Sequence, residues 1–215
     1  VDSNDLHAQA WCQALHDYGY SVPFPRVRGL IGMGADKIVP RLTGLAPESD
    51  TAHQISAHRK QVFLSSYLPH VLPFPRIREL LTRMHSDGCQ LVVASSASAE
   101  ELDKLLERAD VQDLIDKRTS ADDVDHSKPD PEVIRVALEK AQAVPADAVM
   151  IGDTPYDIEA ATRAGVRIVA VQCGGYAGDE LSGAAAQYRD PQDLLQHYDD
   201  SPLWGASKES WRPSP

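Results

Sequence analysis

Two carboxylates, Asp153 and Asp157, stand four residues apart where an apolar run passes into a predicted helix. The run 148–151 is typical of a strand buried on both faces of a parallel sheet. Pro155 suits the first turn of a helix, because its missing N–H has no partner to lose there. Asp153 is therefore predicted at the carboxyl end of a strand, where open α/β sheets bind ligands. The two carboxylates could share one Mg²⁺ ion, or they could simply cap the helix and complement its dipole.

A serine-rich turn follows a second apolar run. Residues 91–94 are predicted to be the end of a strand, and Ser95 and Ser96 come directly after it. A hydroxyl at the carboxyl end of a strand, with the N-terminus of the next helix behind it, can bind phosphate oxygens. The alternative is an ordinary turn in which Ser98 caps the following helix.

A lysine between two prolines is the third candidate. Lys128 lies in the sequence S-K-P-D-P-E, just before a predicted helix. Pro129 and Pro131 restrict the backbone, so the ammonium is held in one direction and can neutralise a phosphate or a neighbouring carboxylate. The alternative is a solvated lysine at the start of a helix.

Strands and helices alternate after residue 71, which predicts an α/β fold with a doubly wound parallel sheet. The predicted strands are 90–94, 114–117, 148–151 and 167–171. Before them, residues 1–70 show helical periodicity and no strand signal, so they are predicted to form a small all-helical domain. The proline-bearing segments near residue 70 mark the boundary. The α/β domain is predicted over 71–200, and 201–215 is predicted to be a tail.

Composition excludes several classes of function. The chain has 21 Lys and Arg against 32 Asp and Glu, so its net charge of −11 argues against nucleic acid as a partner. No apolar run approaches the ~18 residues of a membrane span, so no membrane association is expected. Three cysteines without a C-x-x-C pattern indicate a reducing compartment, and a cytoplasmic location is expected.

These motifs, in this order and spacing, resemble motifs two, three and four of the haloacid dehalogenase (HAD) superfamily. Ser95 after an apolar strand is similar to the second motif, Lys128 in S-K-P-D-P-E to the third, and Asp153 with Asp157 in G-D-T-P-Y-D to the fourth. The phosphoglycolate phosphatase and β-phosphoglucomutase branch is the most similar one that we recognise. Ser127 stands where that branch often has glycine, and we expect little effect from it.

The resemblance implies a HAD-like, Rossmann-type core with a helical cap and a Mg²⁺-dependent phosphatase that works through an aspartyl-phosphate. Ser95 and Ser96 would bind phosphate, Lys128 would offset charge, and Asp153 and Asp157 would hold Mg²⁺. In the cap, Gly34 and Lys37 are candidates for substrate binding, and the loop 32–37 is expected to lie closest to the cleft. The partner is expected to be a small phosphorylated metabolite, and the protein a monomer or a homodimer.

The first motif of the superfamily, D-x-D-G-T, does not occur in these 215 residues. It carries the aspartate nucleophile and the aspartate general acid/base, on a strand at the centre of the sheet. We therefore expect a truncated member, inactive as it stands, with open edges on the strands next to the lost one. One alternative is a non-catalytic HAD-like protein that binds phosphate and metal. A second is an activity like that of phosphonoacetaldehyde hydrolase, suggested by Lys37 in M-G-A-D-K, or a phosphomutase.

Overall fold

The computed structural model describes residues 1–203, so the predicted tail 201–215 lies outside the described residues from 204 onward. The first 70 residues are helical, and no strand occurs among them. Their helices are α1 (Asn4–Asp17), α2 (Phe24–Arg28), α3 (Ala35–Thr43) and α4 (Asp50–Val62), followed by a π-helical turn (Phe63–Tyr67) and a 3-10 turn (Leu68–His70). The all-helical cap that the resemblance implies is confirmed.

The cap is held by an apolar stripe along α1. Its buried residues fall at the predicted spacings of three and four, and they pack against α2, α3 and α4: Ala8, Trp11 and Leu15. Residues 22–28 contain two prolines and nevertheless include the short helix α2. Pro25 lies in its first turn, where proline is tolerated.

The second part alternates strands and helices, as predicted. Its elements are α5 (Ile77–Ser86), β1 (Val92–Ala94), α6 (Ala99–Ala109), β2 (Lys117–Thr119), α7 (Glu132–Ala141), β3 (Val149–Gly152), α8 (Pro155–Ala164), β4 (Arg167–Val171), β5 (Ala186–Tyr188) and α9 (Pro191–Gln196). The strand predicted at 114–117 is displaced, because Leu114 and Ile115 pack into the core from a 3-10 turn instead. β5 is absent from the predicted strands, because Ala-Gln-Tyr carries no strand pattern.

The strands form two parallel sheets, β1-β2 and β3-β4-β5. One cluster of apolar side chains joins the two sheets, because it contains Leu80 and Met84 of α5, Leu91 just before β1, and Val169 of β4. Within residues 1–203, β1 pairs only with β2, and β3 pairs only with β4 on its one side. The residues of β1 and of β3 before Gly152 are half-buried, whereas those of β4 after Arg167 are buried. The predicted α/β class with parallel strands is confirmed.

A buried ion pair joins the cap to the α/β part. Arg59 of α4 donates two hydrogen bonds to the carboxylate of Glu101 at the start of α6, one of them 3.1 Å long. The Glu101 side chain is 1% exposed and that of Arg59 is 12% exposed. The guanidinium also lies over the ring of Trp11, 5.0 Å from its centroid. The Arg59 guanidinium thus contacts Trp11 of the cap on one side and Glu101 of the α/β part on the other.

No helix within residues 1–203 is long and apolar enough to cross a membrane.

Arg59→Ala is expected to lower the free energy of unfolding by roughly 3–5 kcal/mol, because it leaves the Glu101 charge buried without its partner. Urea denaturation at neutral pH measures the change. The matched control is Lys60→Ala, one residue further on. Its partner Glu100 lies on the exposed surface, so the control should change stability little. Equal losses in the two variants would show that burial of the Arg59 pair does not govern the interface.

Candidate active site

Three segments meet at the carboxyl edge of the strands. β1 ends at Ala94 and leads into Ser95, and β3 ends at Gly152 and leads into Asp153. Lys128 spans the distance between these ends. Its ammonium donates to Asp157 Oδ1 over 2.8 Å and to the carbonyl oxygen of Ala94 over 3.4 Å. The structure therefore brings together the four residues that the sequence analysis drew from separate motifs.

Asp157 is fully engaged by its neighbours. One oxygen accepts from Lys128, and the other accepts from the N–H of Asp153 (3.2 Å) and from the N–H (3.0 Å) and hydroxyl (2.7 Å) of Thr154. Thr154 and Asp157 also form a capping box at the start of α8. Burial alone would raise the pKa of Asp157, but the charge and hydrogen bonds of Lys128, with the other donors, outweigh it and hold that pKa below its usual value.

Asp153 is held differently. Its Oδ2 accepts a hydrogen bond from the Asn4 amide (3.0 Å), and no hydrogen bond to its Oδ1 occurs within the described part of the chain. The same amide donates to the Gly174 carbonyl over 3.2 Å. Burial raises the pKa of Asp153, the charge of Asp157 raises it further, and Lys128 opposes both. This carboxylate thus keeps one oxygen available in surroundings that penalise its charge.

Sequence reasoning missed the two groups that place Asp153. Asn4 is the first residue of α1, and its side chain reaches across to Asp153 at the end of β3. Gly174 packs so closely that an added Cβ would lie 2.5 Å from Asp153 Oδ2. A polar amide and a glycine 170 positions apart carry no joint signal in one sequence.

The serine turn serves two purposes. The Ser95 hydroxyl accepts from the N–H of Ala97 (3.1 Å), which leaves its own proton to donate, and Ser98 caps α6. The Ser96 hydroxyl donates to the Gly32 carbonyl in the cap over 3.4 Å. Of the two predicted phosphate-binding hydroxyls, Ser95 lies at the strand end beside Ala94, whereas Ser96 faces the cap.

The cap loop 32–37 lies against this edge. The N–H of Gly34 donates to the hydroxyl of Ser127, next to Lys128, over 2.9 Å. The ammonium of Lys37 lies 3.4 Å from Asp36 Oδ2. Gly34 thus touches the lysine segment directly, while Lys37 is engaged by its neighbour. Their part in substrate binding stays a prediction.

The residues fit a Mg²⁺ ion that takes one direct ligand from this chain. No group of three or more histidine, cysteine or acidic side chains suited to a metal occurs within residues 1–203. Mg²⁺ is commonly held by one or two carboxylates together with water and substrate phosphate. Asp153 offers a free oxygen and a buried charge that a cation would offset, whereas both oxygens of Asp157 are already in use.

The parallel α/β core thus presents a serine hydroxyl, a buried ammonium and an available carboxylate at one edge, beside the helical residues of the first part. The chain belongs to the haloacid dehalogenase-like hydrolases, whose family model matches residues 1–171. The recognised resemblance is confirmed.

Two relatives and one solved structure illustrate the membership. A probable phosphatase, IndB of Dickeya dadantii, is 31% identical over 192 residues, covering 87% of this chain and 83% of the relative. A phosphorylated carbohydrates phosphatase of Thermotoga maritima is 27% identical and covers 91% of both chains. The crystal structure of a hydrolase from Pseudomonas syringae superposes with a TM-score of 0.86 at 27% identity, covering 93% of both chains. The family is described as one of hydrolases, the two relatives are named as phosphatases, and the solved structure is that of a hydrolase.

Asp153→Asn and Asp157→Asn are expected to have different effects on stability. Asp157→Asn leaves the ammonium of Lys128 buried without a counter-ion and should cost roughly 3–5 kcal/mol of unfolding free energy. Asp153→Asn removes a carboxylate whose charge is disfavoured by burial, so it should leave stability equal or higher. Urea denaturation at pH 7, without divalent cations, compares the two variants. A larger loss in Asp153→Asn would contradict the assignment of Asp157 as the partner of Lys128.

Proposed function

We propose that this chain is the capped α/β part of a Mg²⁺-dependent phosphatase that acts on a small phosphorylated metabolite. The observation that carries the proposal is the placement of Lys128, whose ammonium links the end of β1, beside Ser95, to the network that holds Asp153. The named activities of the relatives support it. The charge of −11 implies that local cations, not the overall field, attract the phosphate.

Each residue has a distinct part in the proposal. The Ser95 hydroxyl donates to a phosphate oxygen, and the ammonium of Lys128 offsets negative charge as it develops on the phosphoryl group. Asp153 would hold Mg²⁺, which supplies electrostatic stabilisation of the phosphate oxygens when bound. Asp153→Asn should weaken Mg²⁺ binding more than Asp157→Asn, because only Asp153 has an oxygen outside the hydrogen-bond network. The cap excludes water from the edge of the sheet.

The nucleophile would come from a D-x-D-G-T segment joined before Val1. The start of the chain lies beside the sheet edge, because the Asn4 amide, three residues after Val1, donates to Asp153 Oδ2 over 3.0 Å. The side chains of Val1 and of Val93 in β1 pack against the same apolar cluster, which includes Leu102 and Leu106 of α6. A strand ending at Val1 and parallel to β1 would therefore enter between β1 and β3, where each of them has an edge without a strand partner in residues 1–203.

Three further functions are distinguished by particular residues or by their products. A non-catalytic protein that binds phosphate and metal needs Ser95, Lys128 and Asp153 but no nucleophile, which is what the 215 residues contain. An activity like that of phosphonoacetaldehyde hydrolase would need a neutral amine on Lys37. In this structure the Lys37 nitrogen lies 3.4 Å from Asp36 Oδ2, so it faces its neighbour instead of being free to attack a substrate. A phosphomutase differs from a phosphatase in the phosphoryl acceptor, so analysis of the products separates those two.

The 215-residue chain is expected not to hydrolyse p-nitrophenyl phosphate with Mg²⁺, because it lacks both the nucleophile and a general acid that contributes roughly 10²–10⁴-fold. A chain extended by about ten to fifteen residues, one strand and its turn carrying D-x-D-G-T, should hydrolyse the ester and lose activity with EDTA. Colorimetric assay of both chains tests this. Turnover by the shorter chain that Asp153→Ala abolishes would contradict the mechanism. Phosphate binding without turnover by the extended chain would favour the non-catalytic alternative.

A further inference from the structure

One cap residue is hydrogen-bonded to Ser127, the residue that precedes Lys128. Asp36 lies in the first turn of α3, and its two carboxylate oxygens accept the two donors of Ser127. The N–H of Ser127 donates to Oδ2 over 3.2 Å, and the hydroxyl donates to Oδ1. Ser127 is 5% exposed, so this hydrogen bonding takes place in the interior. The contact spans 91 residues of sequence and joins the cap to the α/β part.

The same serine also forms a hydrogen bond with a backbone group of the cap loop. Its hydroxyl oxygen accepts from the N–H of Gly34 over 2.9 Å while its proton is donated to Asp36. A Cβ added at Gly34 would lie 2.5 Å from the Cβ of Ser127, so the loop approaches this closely only with glycine there. The Ser127 N–H, the Ser127 hydroxyl and the Gly34 N–H make these three hydrogen bonds with each other's segment only while the loop and the lysine segment are in contact.

The backbone position of Lys128 depends on that of Ser127. It is the next residue after Ser127, and Pro129 follows it and restricts the backbone on the other side. Its ammonium donates hydrogen bonds to Asp157 and to the carbonyl of Ala94. The backbone that carries it is restrained by Ser127 on one side and by Pro129 on the other. A displacement of Ser127 would therefore be passed directly to the ammonium.

We propose that Asp36 is a positioning residue, which holds Ser127 and thereby sets Lys128 only while the cap is seated on the α/β part. Its consequence for catalysis rests on the proposed phosphatase function. Ser127 is then a specific partner of this cap, and the expectation of little effect from serine in place of glycine does not follow. Opening of the cap would release the segment that contains Ser127 and Lys128. Closing of the cap would order Lys128 and the cap loop 32–37 together.

The first test uses the 215-residue chain and hydrogen–deuterium exchange. Asp36→Asn keeps the side-chain shape but presents an NH₂ group to one donor of Ser127. Exchange should rise in both 29–37 and 126–131, because the N–H groups of Gly34 and Ser127 lose their shared anchor. The matched control Asp50→Asn makes the same charge change at an exposed position in the first turn of α4 and should leave both segments unchanged. A rise confined to 29–37 would overturn the proposal, since Ser127 would then be held without Asp36.

The second test uses the extended chain and steady-state kinetics. Asp36→Asn and Ser127→Ala should each lower kcat by roughly 10- to 100-fold, the range of a hydrogen bond to a charged group, with a smaller change in KM. The double variant should lose no more than the worse single one, because both remove the same link. Additive losses, or a change in KM alone, would overturn the positioning role. If the unsubstituted extended chain shows no turnover, the phosphatase function fails, and the exchange experiment still decides whether Asp36 holds Ser127.

Discussion

The buried ion pair between Lys128 and Asp157 is the interaction on which the site depends. Removing two charges from water costs free energy, and that cost is offset only where geometry and further hydrogen bonds are good. Here Asp157 accepts three hydrogen bonds besides that of the ammonium, and Lys128 donates a second one to the end of β1. Because an apolar pair of similar volume can often replace such a bridge without loss of stability, its presence is best explained by the charge that it places at the sheet edge.

The cap is anchored to the α/β part by two contacts of different character. Away from the site, Arg59 and Glu101 form a buried pair whose loss would leave an uncompensated charge. At the site, the loop 32–37 meets Ser127 through hydrogen bonds that involve no charge on the α/β side. The first contact thus fixes α4 of the cap to α6, and the second ties the loop 32–37 to the residue before Lys128.

The sequence predicts the residues at strand ends well and their partners poorly. Ser95 and Asp153 follow apolar runs, and Lys128 lies between prolines, so local patterns are enough to find them. Asn4, Gly174 and Asp36 escape because their function arises from contacts across 91 or more residues, which no periodicity records. Asp157 follows from the spacing of its motif. Its pairing with Lys128 does not, because the carboxylate is oriented by the turn at Thr154, whose N–H and hydroxyl donate to it. The short strands β2 and β5 were misplaced or missed because register, not propensity, defines three-residue strands.

A crystal structure of the 215-residue chain soaked with Mg²⁺ and tungstate tests the central claim most directly, because it requires neither a nucleophile nor turnover. The account predicts the oxyanion within hydrogen-bond distance of Ser95 Oγ and Lys128 Nζ, with the cation bonded to a carboxylate oxygen of Asp153. An oxyanion bound away from Lys128, or a cation on other carboxylates with Asp153 unliganded, would contradict it.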